Sequence, residues 1–265
     1  MEREAARVGR NRRRLVIGAL MLAVVLPLGA VAWRRGAGNF GVVESGRVYR
    51  SAQLDAHALA DLIRERGIKT VLNLRGPNPD RAWYQSEVRA TLDSGATQVD
   101  VPLASDQWLA RDQAKALLDV IDRSEYPILI HCEFGAERTG LVASIMSLLR
   151  EGSTLADARR QFSLEYLFVA FKEGRVMQGH LDAYENWLRA SGKAHSPQVL
   201  REWLLADYRP KSPSREFWPC NPYPLWVKQS GHGEPEVAWS ANACAERVAI
   251  GGTASGKAMP SKVVR

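Results

Sequence analysis

Cysteine is scarce in this chain: its 265 residues hold three, Cys132, Cys220 and Cys244. An odd count leaves at least one thiol unpaired within one chain. Cys220 and Cys244 both lie in the C-terminal stretch, so the expectation is that they pair where disulfides persist, leaving Cys132 free. No internal repeat is visible. A stripe of basic and aromatic residues is also missing, so the formal charge of +7 does not point to nucleic acid. Arg3, Arg7, Arg10, Arg12, Arg13 and Arg14 account for much of that charge. Residues 251–258 nearly match a nucleotide-binding glycine-rich loop. Ala258, however, stands where Ser or Thr would hold magnesium, and Pro260 blocks the following helix. Nucleotide is therefore excluded as a partner.

Residues 15–33 contain no charge at all. A membrane span needs about 20 apolar residues, within a range of about 17–25. Six arginines precede the run and only Arg34 and Arg35 follow it closely, which places residues 1–14 in the cytoplasm. The rest of the chain is then expected on the non-cytoplasmic side, in a periplasm or its equivalent. Two versions stand. The run is either an uncleaved anchor stopped by Trp33, Arg34 and Arg35, or a signal peptide with Ala30-Val31-Ala32 at its cleavage site.

The most informative segment is His131-Cys132-Glu133-Phe134-Gly135-Ala136-Glu137-Arg138-Thr139-Gly140. An apolar run precedes it from Tyr126 and another follows it from Leu141, which predicts a buried strand, a tight loop and a helix. Cys132 opens the loop and Arg138 closes it. A thiolate is a strong nucleophile, and helix N-termini and nearby cations favour that form. The amides of residues 133–138 are expected to curl inward as a nest of N–H donors, reinforced by the helix dipole. Arg138 offers a planar fork for two anionic oxygens. Gly135 permits positive φ within the curl. Thr139 is expected to hydrogen-bond the Cys132 sulfur, and His131 to brace the loop from behind.

This loop resembles that of the cysteine-dependent protein tyrosine and dual-specificity phosphatases: His-Cys, five residues, Arg, then Ser or Thr. Residues 47–53 (RVYRSAQ) and 70–75 (TVLNLR) look like the opening strands of the compact bacterial periplasmic members. The resemblance covers roughly residues 40–210. It implies phosphomonoester hydrolysis through a phosphocysteine, with neither metal nor cofactor. It also implies an aspartate general acid on a loop upstream. Asp100, Asp106 and Asp112 are the candidates. Asp100 falls in an expected strand and Asp112 in an expected helix, so Asp106 is preferred and Asp112 comes second. The catalytic set is thus Cys132, Arg138 and Asp106; residues 133–138 bind phosphate, and His131 and Thr139 support them.

Glu133 and Glu137 stand where phosphoinositide-type relatives often carry lysines. Two carboxylates would repel a multiply phosphorylated head group. The expected partner is a phosphorylated protein, with tyrosine or dual specificity. A lipid or inositol phosphatase and a non-catalytic phosphoprotein-binding module are the alternatives.

The order of elements predicts an α/β domain over residues 40–210, with a central, mostly parallel sheet flanked by helices. Strands are expected at 39–49, 69–75, 97–103 and 126–131. Helices are expected at 55–66, 81–93, 109–123, 138–150, 155–162, 173–190 and 197–208. Residues 211–265 read as a Pro- and Gly-containing tail. Arg75, ending an apolar strand, calls for an anionic partner such as Glu87.

Overall fold

The computed structural model describes residues 17, 21, 23–171, 173–211, 224–229 and 235–239. The chain divides into two units, Met1–Ala37 and Gly38–Arg265. In the first, residues 23–36 are helical and mostly exposed. Among the described residues no helix is long and apolar enough to cross a membrane. Residues 1–14 and, within the uncharged run, residues 15, 16, 18–20 and 22 lie outside the described residues.

The second unit is built on one seven-stranded sheet. Its strands are β1 (Gly41–Glu44), β2 (Val48–Ser51), β3 (Thr70–Asn73), β4 (Thr97–Asp100), β5 (Ile128–His131), β6 (Leu225–Gln229) and β7 (Pro235–Trp239). They lie in the order β1-β2-β5-β3-β4-β6-β7. The central four, β2-β5-β3-β4, run parallel. Both flanks are antiparallel: β1 on β2 at one side, β6 on β4 and β7 on β6 at the other. "Mostly parallel" therefore holds for the centre alone. The flanks escape that rule because β1 reaches β2 through a tight turn, and β6 and β7 come from the stretch beyond residue 211.

Strand β5 is buried at every position, as a central parallel strand covered on both faces must be. Side chains alternate between the faces. Tyr49, Val71 and Leu129 pack with Leu59 and Ile63 of α1 (Ala56–Arg66). Val48, Leu72, Val99, Ile128 and Ile130 join the main core on the other face. That core includes α3 (Arg111–Arg123), α4 (Glu137–Leu148), α6 (Glu173–Ser191) and α7 (Pro197–Glu202). Helix α2 (Ala82–Asp93) packs Leu92 against Leu225 and Val227 of β6.

Local signals set several boundaries. Asp55 caps α1 by accepting from Ala58 N–H at 2.9 Å, and Gly67, at φ 62°, ends it. Thr154 caps α5 (Leu155–Arg159). That helix stops at Arg159, short of the expected 162, and a 3-10 turn follows at Leu164–Tyr166. The expected helix over 197–208 is α7 followed by a π turn, Trp203–Asp207. Helix α4 is buried from Thr139 to Leu148 on every side. A helix apolar all round belongs inside the molecule, and this one carries the loop that precedes it.

Candidate active site at the carboxyl ends of the central strands

Cys132 follows β5 directly, is free and is 1% exposed. The chain then curls into the first turn of α4. Three successive carbonyls of the curl are held from outside. Gln53 N–H donates to Glu133 O at 3.2 Å, Asn39 Nδ2 to Phe134 O at 2.8 Å, and Arg50 Nη2 to Gly135 O at 2.6 Å. In a planar trans peptide, a carbonyl and the next N–H point opposite ways. Outward carbonyls therefore turn the amides of Phe134, Gly135 and Ala136 to the concave side. Such a nest at a helix N-terminus is an anion cradle.

Gly135 has φ +67°, and a Cβ there would lie 2.6 Å from both Ala52 N and Ser51 O. Arg138 is half-buried in the first turn of α4. Its Nη1 stands 3.3 Å from Leu103 O and 3.5 Å from Leu74 O. These long contacts are weaker than a guanidinium–oxyanion pair, so an anion in the cradle would displace them. Glu133 and Phe134 are exposed and Glu137 is half-buried.

His131 lies on the opposite face of β5 from the cradle. Its Nε2 is 3.3 Å from Glu87 Oε1, and both side chains are almost fully buried. Burial pushes the Glu87 carboxyl up, but His131, with hydrogen bonds from Gln98 and Gln53, outweighs it, so Glu87 sits below its usual range. The sequence reading expected Arg75 to meet Glu87, and it does not. Its Nη1 donates to Gln53 Oε1 at 3.1 Å and its guanidinium lies 3.7 Å from the Trp83 ring centroid, while Gln53 Nε2 donates to Glu87. The Thr139 hydroxyl is buried and has no hydrogen-bond partner among the described residues, so the expected bond to the Cys132 sulfur is not formed.

The bracing roles of two residues escaped the sequence reading, which had named Glu87 only as a partner for Arg75. Arg50 is fully buried on β2, bonds Gly135 O and Gln161, and stacks 3.8 Å from the Tyr166 ring centroid. Glu87 shares the buried stripe of α2 with Tyr84 and Thr91. In both cases the available signal was a charge on a buried strand or stripe, which demands a partner.

Of the acid candidates, Asp106 is exposed on a bend between β4 and α3, and Asp112 is half-buried in the first turn of α3. Asp100 ends β4, in register with Asn73, which is itself in register with His131. It is fully buried and accepts from Tyr84 OH and, at 2.8 Å, from Asn73 Nδ2. Burial pushes its carboxyl up from 3.8 to about 7. A carboxyl with a raised folded pKa holds its proton more tightly in the native state. Its contribution is thus complete below about 4 and is lost as pH rises to about 7, by up to about 4 kcal/mol. Burial lowers His180 to about 4, which acts with the opposite sign over much of the same window. The measurement is therefore a difference: urea unfolding of wild type and Asp100→Asn from pH 4 to 8. The variant should gain on wild type as pH rises, and a constant gap would remove Asp100 as the source.

A cavity of about 300 Å³ among the described residues lies elsewhere, beside Val48, Tyr126 and Arg201 at the amino ends of β2 and β5. It is remote from Cys132. Cys220 and Cys244, expected to pair, lie outside the described residues.

Residues 46–153 match a family model described as "Polymorphic toxin system, DSP-PTPase phosphatase". No curated protein is similar enough to the chain to count as a match. Among solved structures, Pseudomonas aeruginosa TpbA is 23% identical, with a TM-score of 0.43 over 56% of this chain and 86% of its own. The core catalytic domain of Saccharomyces cerevisiae SIW14, described as a PP-IP phosphatase, is 21% identical, with a TM-score of 0.42 over 58% of this chain and 93% of its own.

Proposed function

We propose that the protein hydrolyses phosphomonoesters of phosphoproteins through a phosphocysteine, a reading supported by the match of residues 46–153 to a dual-specificity phosphatase model. The observation that carries this reading is the set of three outward-tied carbonyls, which turns three amides inward beside the buried Cys132. Cys132 Sγ attacks phosphorus as a thiolate while the bond from phosphorus to the ester oxygen breaks. The leaving oxygen takes the proton of Asp106. Water then attacks phosphorus, Asp106 receives a proton from it, and the P–S bond breaks to release phosphate and the thiolate. Inward amides and Arg138 hold the equatorial oxygens throughout, the kind of aimed stabilisation that usually contributes most.

Glu133, exposed on the loop, favours a singly phosphorylated side chain over a cluster of phosphates. Phosphate release by the reduced full-length protein should be at least about tenfold faster, in kcat/KM, from a phosphotyrosyl peptide than from an inositol polyphosphate. The opposite ranking would move the substrate to the inositol class. No release from either would return the chain to a binding module. The same reading keeps residues 15–33 as a membrane anchor or signal, with the domain on the non-cytoplasmic side. Protease added outside intact inner membranes should then digest it.

A further inference from the structure

Asp106 sits on a short span between two anchored ends. Upstream, Leu103 N–H donates to Leu74 O at 3.1 Å and Gln113 Nε2 to Pro102 O at 3.0 Å. Downstream, the chain is fastened to elements far away in sequence. Leu109 N–H donates to His180 Nε2 at 3.1 Å, and Tyr208 OH donates to Leu109 O at 2.9 Å. The Trp108 ring lies 4.4 Å from the His180 ring, which in turn stacks at 6.0 Å on Tyr208. Gly179 admits the indole: a Cβ there would stand 3.3 Å from Trp108 Cζ2. Residues 104–107 bridge the anchors, and Asp106 is exposed among them.

We propose that His180 is a positioning residue for the general acid, holding the Trp108–Leu109 end of the loop so that Asp106 meets the leaving oxygen. The inference rests on Asp106 being the acid. The chemistry of His180 fits one tautomer. Nδ1 faces two carbonyls, Val176 O at 2.9 Å and Met177 O at 3.1 Å, which only accept, so Nδ1 carries the hydrogen. Nε2 therefore keeps its lone pair and accepts from Leu109. Burial, which lowers the group to about 4, keeps the ring neutral and the acceptor intact at neutral pH. Proton transfer requires the acid within hydrogen-bond reach, so a loop loosened at one end loses that step first.

Leaving-group dependence separates positioning from general stability. Dinitrophenolate departs without a proton, whereas phenolate needs one. For the reduced full-length protein, Asp106→Asn should lower kcat on phenyl phosphate by about 10²-fold or more, with far less change on dinitrophenyl phosphate. His180→Leu should show the same selectivity, about tenfold or more, and His180→Gln should recover much of it by restoring an acceptor. Equal loss on both substrates, or none, for His180→Leu beside a selective Asp106→Asn would overturn the inference alone. An unselective Asp106→Asn would overturn the acid assignment and the inference with it. Should His180→Leu fail to fold, Tyr208→Phe, which removes only the bond to Leu109 O, decides by the same selectivity.

Discussion

Cys132→Ser should reduce phosphate release from an aryl phosphate to the uncatalysed background, a loss on the order of 10³-fold or more. A serine hydroxyl needs a neighbouring base to become a nucleophile. The nearest imidazole in sequence, His131, points to the other face of β5 and is engaged by Glu87. Nothing in that arrangement would take the serine proton. The cradle owes its shape to Gln53, Asn39 and Arg50, all untouched by the change. Tungstate, measured by calorimetry, should therefore bind the variant within a few-fold of wild type. Turnover by Cys132→Ser within tenfold of wild type would sink the phosphocysteine mechanism. Lost tungstate binding in a folded variant would sink the account of the cradle.

Gly135→Ala should be nearly as damaging, for a steric reason. A non-glycine residue at φ +67° costs about 1–2 kcal/mol. The added Cβ would also stand 2.6 Å from Ala52 N and Ser51 O, which are backbone atoms. They cannot retreat cheaply, because Ser51 closes β2, a strand paired to β1 and to β5. Relief must come from the loop, which pulls Gly135 O away from Arg50. A total destabilisation of about 3 kcal/mol or more is expected in urea. The folded fraction should lose about 10²-fold in kcat, since a displacement of about 1 Å at a preorganised site costs that much. Gly95→Ala is the control: φ is +76° there but the space beside it is open. It should cost only the conformational part. Equal destabilisation by the two substitutions would refute the clash.

The strand–loop–helix unit around Cys132 was legible because its signals are local. Apolar runs, a glycine at the curl and a cysteine and arginine at fixed spacing sit within one short segment. Caps at Asp55, Gly67 and Thr154 were legible for the same reason. The expected bond from Thr139 to the sulfur was not formed, because sequence proximity does not set a hydroxyl's direction inside a packed helix. Arg75 found Gln53 and Trp83 instead of Glu87, whose buried carboxylate is taken up by Gln53, Gln98 and His131.

By itself, then, the sequence determined the α/β class, the strand–loop–helix unit around Cys132 and most helix ends, all of which depend on periodicity or on spacing along the chain. Tertiary structure decided the strand order, with β5 between β2 and β3, and the extension of the sheet by β6 and β7. It also decided which residues hold the loop: Asn39, Arg50 and Gln53 come from about 80–95 positions away. His180, 71 positions from Leu109, was brought to the loop that carries Asp106 in the same way. A buried polar group must find a partner wherever the packing provides one, and that place is a property of the folded chain rather than of any stretch of its sequence.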